Sequence, residues 1–135
     1  MILIDINVVL DVIRERHPHY AASAMVIDRV VKKMVIGVLP AHAITTIEYL
    51  VARHANATQA TEVVEWLLAR FQIATIGKTQ LVRAQSLRWN DFEDAVTAAA
   101  AESHGCARIV TRNISDFTAS PVNALTPEEY LRYLG

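Results

Sequence analysis

The chain has 135 residues, of which 53% are hydrophobic and 20% charged, with only four glycines and four prolines. This length predicts a single domain, and the apolar content is enough for a buried core, which excludes a disordered or collagen-like chain. The formal net charge of −1, from 13 basic and 14 acidic residues, provides no bulk attraction for a polyanion. Any nucleic-acid site would therefore have to be a local group of basic residues.

The cysteine content and the start of the chain restrict the class of protein further. Cys106 is the only cysteine, which excludes an intramolecular disulfide and a multi-cysteine zinc site and is typical of a reducing compartment. The first residues lack a basic segment, and Asp5 and Asp11 interrupt their apolar run, so a signal peptide is not expected. No apolar run reaches the roughly 18 residues of a spanning helix. We therefore expect a cytoplasmic protein without a membrane partner.

Short apolar runs alternate with segments of helical spacing along the whole chain. Strands are predicted at residues 2–4, 34–38, 71–76, 108–111 and 121–124. Helices are predicted at 8–13, from Pro18 to near 32–33, at 42–54, 58–70, 78–87 and 91–104, and from Thr126 onward. The alternation predicts an α/β domain, with a central parallel sheet and helices on both faces.

Acidic residues follow two of the predicted strands. Asp5 follows the first strand, and Thr111 leads through Asn113 to Asp116 after a later one. Ligands of open parallel sheets bind beyond the carboxyl ends of the strands. Acidic side chains at these ends favour a metal ion over a phosphate.

Glu48 is predicted to lie on an apolar helix stripe. It follows Ile44 by four residues and precedes Val51 by three, so helical spacing places it on their face. A carboxylate that faces the core is costly unless it is paired or bound to a cation. The competing interpretation is an edge glutamate with its head in solvent, or one paired with Arg53.

Asp94 lies in an acidic helix start with two interpretations. Asn90 as N-cap and Glu93 three residues later would form a capping box, and acids favour the first helical turn. Capping does not account for Asp94, which shares a face with Ala98 and Ala101. Because those residues are small, the helix can lie close to the sheet, with Asp94 pointing inward.

Four carboxylates from separate segments are thus predicted to converge as catalytic metal ligands: Asp5, Glu48, Asp94 and Asp116. Hard oxygen ligands select Mg²⁺ or Mn²⁺. Without metal, the carboxylates would repel one another and raise one or more pKa values. With metal, they would support hydrolysis of a phosphodiester.

Four motifs, in order, resemble the PIN-domain nucleases, and most of all the VapC-type toxins of toxin–antitoxin pairs. They are ILIDINVV at 2–9, the Glu48 helix, DFEDAVTAAAA at 91–101 and IVTRNISDF at 109–117. The likeness continues through residues 125–131. The resemblance implies a single PIN-like domain over residues 1–135 and an Mg²⁺- or Mn²⁺-dependent endoribonuclease. It also implies a homodimer and a cognate antitoxin as partner.

Carried over by position, the resemblance makes Asp5 and Asp94 the core metal ligands, which Glu48 completes directly or through water. The family often has aspartate where this chain has Asn113; here Asp116 takes the fourth acidic position, and Asn113 orients a ligand or water. Ile6 replaces a small hydroxyl residue that is common in the family. The supporting residues are Asn7, Asp91, Thr111 and Asn113.

Basic and aromatic residues supply candidate RNA contacts. Arg112 and Arg14 are the candidates for phosphate binding, with a possible rim of Arg16, His17, Lys78 and Arg88; the competing interpretation is a solvated surface. Because RNA recognition favours unpaired bases, Tyr20 or Trp89 could stack on a base, or simply pack.

Two other functions compete with the nuclease. One is a catalytically idle PIN-like module that binds RNA or the arginine of a protein partner, suggested by Ile6 and Asn113. The other is a phosphotransfer receiver domain, which needs an acceptor aspartate after a central strand and a lysine after a late one. The chain instead has Gly77-Lys78 and Arg112 at the corresponding strand ends, so the receiver ranks last.

Overall fold

A computed structural model describes residues 1–134, and Gly135 lies outside the described residues. It has five strands: β1 Ile2–Ile4, β2 Gly37–Pro40, β3 Gln72–Ala74, β4 Arg108–Val110 and β5 Ala124–Leu125. It has seven α-helices: α1 Ile6–Ile13, α2 Tyr20–Val31, α3 Ala41–His54, α4 Ala57–Arg70, α5 Lys78–Leu87, α6 Phe92–His104 and α7 Pro127–Leu134. A 3₁₀ turn at Ile114–Phe117 follows β4.

The strands form one parallel sheet in the order β3-β2-β1-β4-β5, which confirms the predicted α/β class. Strand β1 lies in the middle, where Leu3 pairs with Val38 on one side and Ile109 on the other. All three side chains are fully buried in the same core cluster. Ile2 and Ile4 belong to the other cluster, because successive side chains of a strand point to opposite faces.

Helices cover both faces of the sheet. The core on the Ile2 and Ile4 face includes residues of α1, α2, α3, α4 and α7. The opposite face is covered by α5 and α6, whose buried residues are mainly alanines. As predicted, the small residues Ala98 and Ala101 of α6 are buried against the sheet. Helix α6 therefore packs closely against the sheet on the face that carries Asp94.

The second strand begins later than predicted. Met34 and Ile36 are 59% and 51% exposed, whereas Val38 and Leu39 are fully buried. Residues 34–36 therefore join α2 to the sheet, and only Gly37 and Val38 of the predicted run lie within β2. The last strand is also shifted, to Ala124–Leu125.

Several helices end where the sequence predicts, but the starts of α1, α2 and α6 differ from the prediction. Helix α1 begins at Ile6, two residues before its predicted start. Helix α2 begins at Tyr20, two residues after Pro18. The N-cap of α6 is Asp91, whose carboxylate accepts a hydrogen bond from the backbone N–H of Asp94 at 3.1 Å. The predicted capping box on Asn90 is therefore wrong. Gly105, with a left-handed φ of 78°, ends α6 directly after the predicted last residue, His104.

Cys106 is a buried free thiol that lies two residues before β4. None of the helices within residues 1–134 is long and apolar enough to cross a membrane.

Candidate active site

The site lies where the strand order reverses. The chain passes from β1 to β2 on one side of β1, and later returns with β4 on the other side. The connections leave the ends of β1 and β4 in opposite directions, which opens a crevice at their carboxyl ends. Asp5 follows β1 directly, and Thr111 follows β4 directly. The topology therefore places both residues in this crevice.

Asp5 is held in one orientation by three donors. The side chain is buried, with 4% of the residue exposed. Its Oδ1 accepts from the backbone N–H of Ile6 at 2.8 Å, as the N-cap of α1. Its Oδ2 accepts from Thr111 Oγ1 at 2.8 Å and from Asn7 Nδ2 at 3.2 Å. Burial raises the pKa of Asp5, and the hydrogen bonds from Thr111 and Ile6 oppose that increase.

The segment after β4 is tied to the same carboxylate. The backbone N–H of Asn113 donates to Thr111 Oγ1 at 3.1 Å, while the backbone N–H of Arg112 donates to Asn7 Oδ1 at 3.4 Å. Residues that are more than 100 positions apart in the chain thus fix one another. Three of the predicted supporting residues, Asn7, Thr111 and Asn113, lie around Asp5 in this network.

Asp94 lies within electrostatic range of two other predicted acids, Asp5 and Asp116. The pKa of Asp94 is raised to about 7, first by burial and then by the negative charges of Asp5, Asp91 and Asp116. Asp94 is half-buried in the first turn of α6, and Asp116 lies on the 3₁₀ turn after β4. The charges of Asp5, Asp91 and Asp116 thus act on Asp94, and Asp5, Asp94 and Asp116 are called the acidic group below.

Glu48 stands apart from this group. It is exposed, and it is absent from the charges that perturb Asp5 and Asp94. The buried residues of α3 are Ala43, Ile47 and Val51, and Glu48 follows Ile47 by one position, about 100° further around the helix. The prediction that Glu48 lies on the core-facing stripe is therefore wrong, and its role as a ligand stays a prediction.

Two residues near Asp5 had no assigned role in the site. Glu93 Oε1 lies 3.9 Å from Nε2 of His42; Glu93 raises the pKa of Asp5 and His42 lowers it. Burial lowers the pKa of His42, and its buried Nδ1 has no hydrogen-bond partner among the described residues. The sequence signal was the position of His42 two residues after β2, whose carboxyl end lies beside that of β1.

Arg112 is engaged in an ion pair inside the protein. Its Nε lies 2.7 Å from Oδ2 of Asp11, which is fully buried, and only 23% of the Arg112 side chain is exposed. Ser23 Oγ donates to the same Oδ2 at 3.3 Å, and Arg16 Nε lies 4.0 Å from Oδ1. The guanidinium predicted to bind phosphate thus compensates a buried charge.

The other candidate phosphate ligand lies far from the acids. Arg14 is the exposed residue that ends α1, roughly 13 Å along the helix axis from Asp5, which caps its start. Lys78 and Arg88 are exposed as well. Of these, Arg88 lies in the loop between α5 and α6, next to Asp91.

The family model for the PIN domain matches residues 1–115, which include β1, β4, Asp5 and Asp94. The chain belongs to the PIN domain family. Members of this family are nucleases. The match confirms the family predicted from the four sequence motifs.

Solved structures of VapC-type toxins share the fold of this PIN domain. VapBC2 from Rickettsia felis, bound to a promoter DNA fragment, gives a TM-score of 0.70 at 17% identity, covering 93% of this chain and 98% of that one. DNA-bound VapBC from Salmonella typhimurium gives 0.72 at 15% identity, with 93% and 97% covered. VapC20 from Mycobacterium tuberculosis, a toxin that cleaves the sarcin–ricin loop, gives 0.69 at 13%, with 90% and 96% covered. A sequence comparison with curated proteins finds no match.

The donor set of the PIN domain fits a hard divalent cation that keeps part of its water shell. Within residues 1–134, no three His, Cys, Asp or Glu side chains are close enough together to enclose a metal ion. Mg²⁺, however, is usually held by one or two carboxylates, with water and substrate phosphate as the remaining ligands. Asp5 and Asp94 are oxygen donors of the right kind, and a bound cation would oppose the burial and the neighbouring negative charges that raise the pKa of Asp94.

Proposed function

We propose that this PIN domain is a metal-dependent endoribonuclease and the toxin of a VapBC-type toxin–antitoxin module. The observation that carries the proposal is the group formed by Asp5, Asp94 and Asp116 at the switch point of a PIN fold. Such a group concentrates negative charge where a parallel α/β sheet binds its ligands. Such an arrangement would support hydrolysis of a phosphodiester with Mg²⁺ or Mn²⁺.

When bound, the cation would polarise the scissile phosphate and supply a water of lowered pKa. Asp5 and Asp94 would hold it. Thr111 and Asn7 orient the Asp5 carboxylate by donating to Oδ2, which would favour its binding to a cation. Asp116, exposed on the 3₁₀ turn, would orient the attacking water through its carboxylate oxygens.

The substrate and partner follow from the solved relatives. VapC20 cleaves the sarcin–ricin loop, and the other toxins were solved as VapBC complexes. We propose RNA as substrate for this chain, a cognate antitoxin as partner and a homodimer as assembly. An open groove between α1, α2 and α4, lined only by apolar side chains such as Val12, Ile27 and Trp66, supports a protein partner with an apolar helix face.

The test is cleavage of structured RNAs by the purified protein with Mn²⁺ or Mg²⁺, beside two matched variants. Asp94→Asn removes one proposed ligand and should abolish cleavage. Asp28→Asn removes an exposed carboxylate on α2 that is paired with Lys32, and should leave cleavage unchanged. Equal cleavage by the wild type and Asp94→Asn would mean that a contaminating nuclease is responsible.

A further inference from the structure

An open cleft of about 340 Å³ lies beside the acidic group. One wall is the loop between α5 and α6, and the other is the 3₁₀ turn after β4. This volume is at the lower end of the range for small-ligand sites, about 300–1,000 Å³. The lining residues used below are Arg88, Trp89, Asn90, Asp91, Ser115 and Asp116.

Trp89 gives this cleft a fixed aromatic wall. Its ring is half-buried and meets the ring of Phe117 edge-on, with centroids 5.6 Å apart and planes at 85°. Phe117 is itself buried at 3% exposure. Packing against Phe117 and the adjoining core therefore restricts the orientation of the Trp89 ring. A rigid aromatic surface next to a polar site is the usual platform for a stacked base.

The polar groups favour an uncharged ligand inside the cleft and a phosphate at its rim. Asp91 and Asp116 would repel an anion placed between them. The Arg88 guanidinium at the rim makes no hydrogen bond or ion pair with any described residue, and the Asn90 amide makes no hydrogen bond within the same part of the chain. This distribution of polar and charged side chains fits an uncharged planar group that forms hydrogen bonds through its edge. A phosphate attached to that group would lie at the rim.

We propose that this cleft binds an unpaired nucleobase of the RNA, next to the phosphodiester that lies at the aspartates. The base stacks on Trp89, Asn90 and Ser115 contact its polar edge, and Arg88 contacts an adjoining phosphate. The proposal rests on the proposed ribonuclease function and adds the recognition element for the nucleotide beside the scissile bond. An unpaired base is required because a base inside a duplex cannot present its face to the ring.

The ring itself can report on binding, without any substitution in the cleft. The chain has two tryptophans, and Trp66 lies on α4 with the Arg70 guanidinium 4.4 Å from its ring centroid. In Trp66→Phe, Trp89 is the only indole fluorophore. Uncharged nucleosides, which have no phosphodiester to be cleaved, should quench its emission with saturation, whereas ribose alone should not. The matched variant Trp89→Phe retains only Trp66, which should not respond.

Arg88 offers a second test that leaves the fold intact. Its φ of 56° is a left-handed conformation at the end of α5, which glycine adopts without strain. Arg88→Gly should therefore keep or raise the melting temperature. In that variant, nucleoside quenching should be unchanged, while a trinucleotide that carries phosphates should bind several-fold more weakly than it binds to the parent.

The outcomes separate this inference from the nuclease proposal. If nucleosides do not quench Trp89, or quench both tryptophans alike, the base site is wrong, even if RNA is cleaved in Mn²⁺. If they quench Trp89 alone but the protein fails to cleave RNA, the base site stands and the nuclease proposal falls. Unchanged trinucleotide binding by Arg88→Gly would overturn the assigned phosphate contact.

Discussion

The buried pair of Asp11 and Arg112 allows a stability prediction that also tests how the active-site segment is held. Asp11→Leu removes a fully buried carboxylate and leaves Arg112, 23% exposed, without its partner. Breaking a buried ion pair from one side costs about 3–5 kcal/mol. Because Arg112 retains some contact with water, we expect the lower end, about 3 kcal/mol, or a fall in melting temperature of roughly 10 °C for a domain of this size.

The double variant Asp11→Leu/Arg112→Met removes both charges and replaces them with apolar volume. It should recover most of the lost free energy of unfolding, because no buried charge then lacks a partner. Urea denaturation in EDTA measures all four members of the cycle, with unchanged slopes as the check on two-state behaviour. A loss below about 1 kcal/mol for Asp11→Leu, or additive losses in the double variant, would refute the reasoning. RNA cleavage by a double variant of restored stability then shows whether Arg112 also contacts the substrate.

Three further predictions follow from the same structure. The pKa of Asp94 is raised from 3.8 to about 7, so its ionisation destabilises the metal-free fold progressively above pH 4. Asp94→Asn should therefore be more stable than the wild type by about 1–2 kcal/mol at pH 8, after allowance for solvent screening. Near pH 4 the variant should gain little stability. Equal pH profiles in EDTA would contradict this. Gly37→Ala should cost about 1–3 kcal/mol in urea denaturation, because the added Cβ would lie 2.7 Å from Val30 Cγ2 and 2.8 Å from Phe71 Cε2; an unchanged midpoint would show that the neighbours give way freely. Glu48→Gln should reduce the cleavage rate far less than Asp94→Asn, since Glu48 is exposed and outside the acidic group; an equally large loss would restore it as a ligand.

The sequence predicted the acids of the crevice because parallel strands constrain them. All carboxyl ends of a parallel sheet meet at one edge, whatever the order of the strands. Asp5 and the segment after β4 could therefore be assigned to the same edge of the sheet before the order of the strands was known. Asp94 was found through the small residues Ala98 and Ala101, which allow α6 to lie against the sheet.

The sequence could not predict features that depend on how a helix is rotated about its axis or on tertiary contacts. Helical spacing places Glu48 on the same side of α3 as Ile44, which is half-buried, but about 100° around the helix from Ile47, which is buried. The spacing alone could not show which of these two residues marks the side of α3 that faces the core. Asn90 and Asp91 are both favoured N-caps, and only the observed bond to Asp94 selects Asp91.

The contact between His42 and Glu93 joins two helices that start beyond different parts of the sheet. The sequence around neither residue contains a pattern that would predict contact with the other. Such a contact could be found only once the positions of α3 and α6 relative to β1 were known.

The most direct test of the central claim is a calorimetric titration of Mn²⁺ into the protein near neutral pH. The proposed site predicts binding to the wild type, unchanged affinity in Asp28→Asn, and at least about tenfold weaker binding in Asp94→Asn, equivalent to about 1.4 kcal/mol. No Mn²⁺ binding by the wild type, or equal affinity in the Asp94→Asn variant, would contradict the assignment of the Asp5, Asp94 and Asp116 group as a metal-dependent nuclease site.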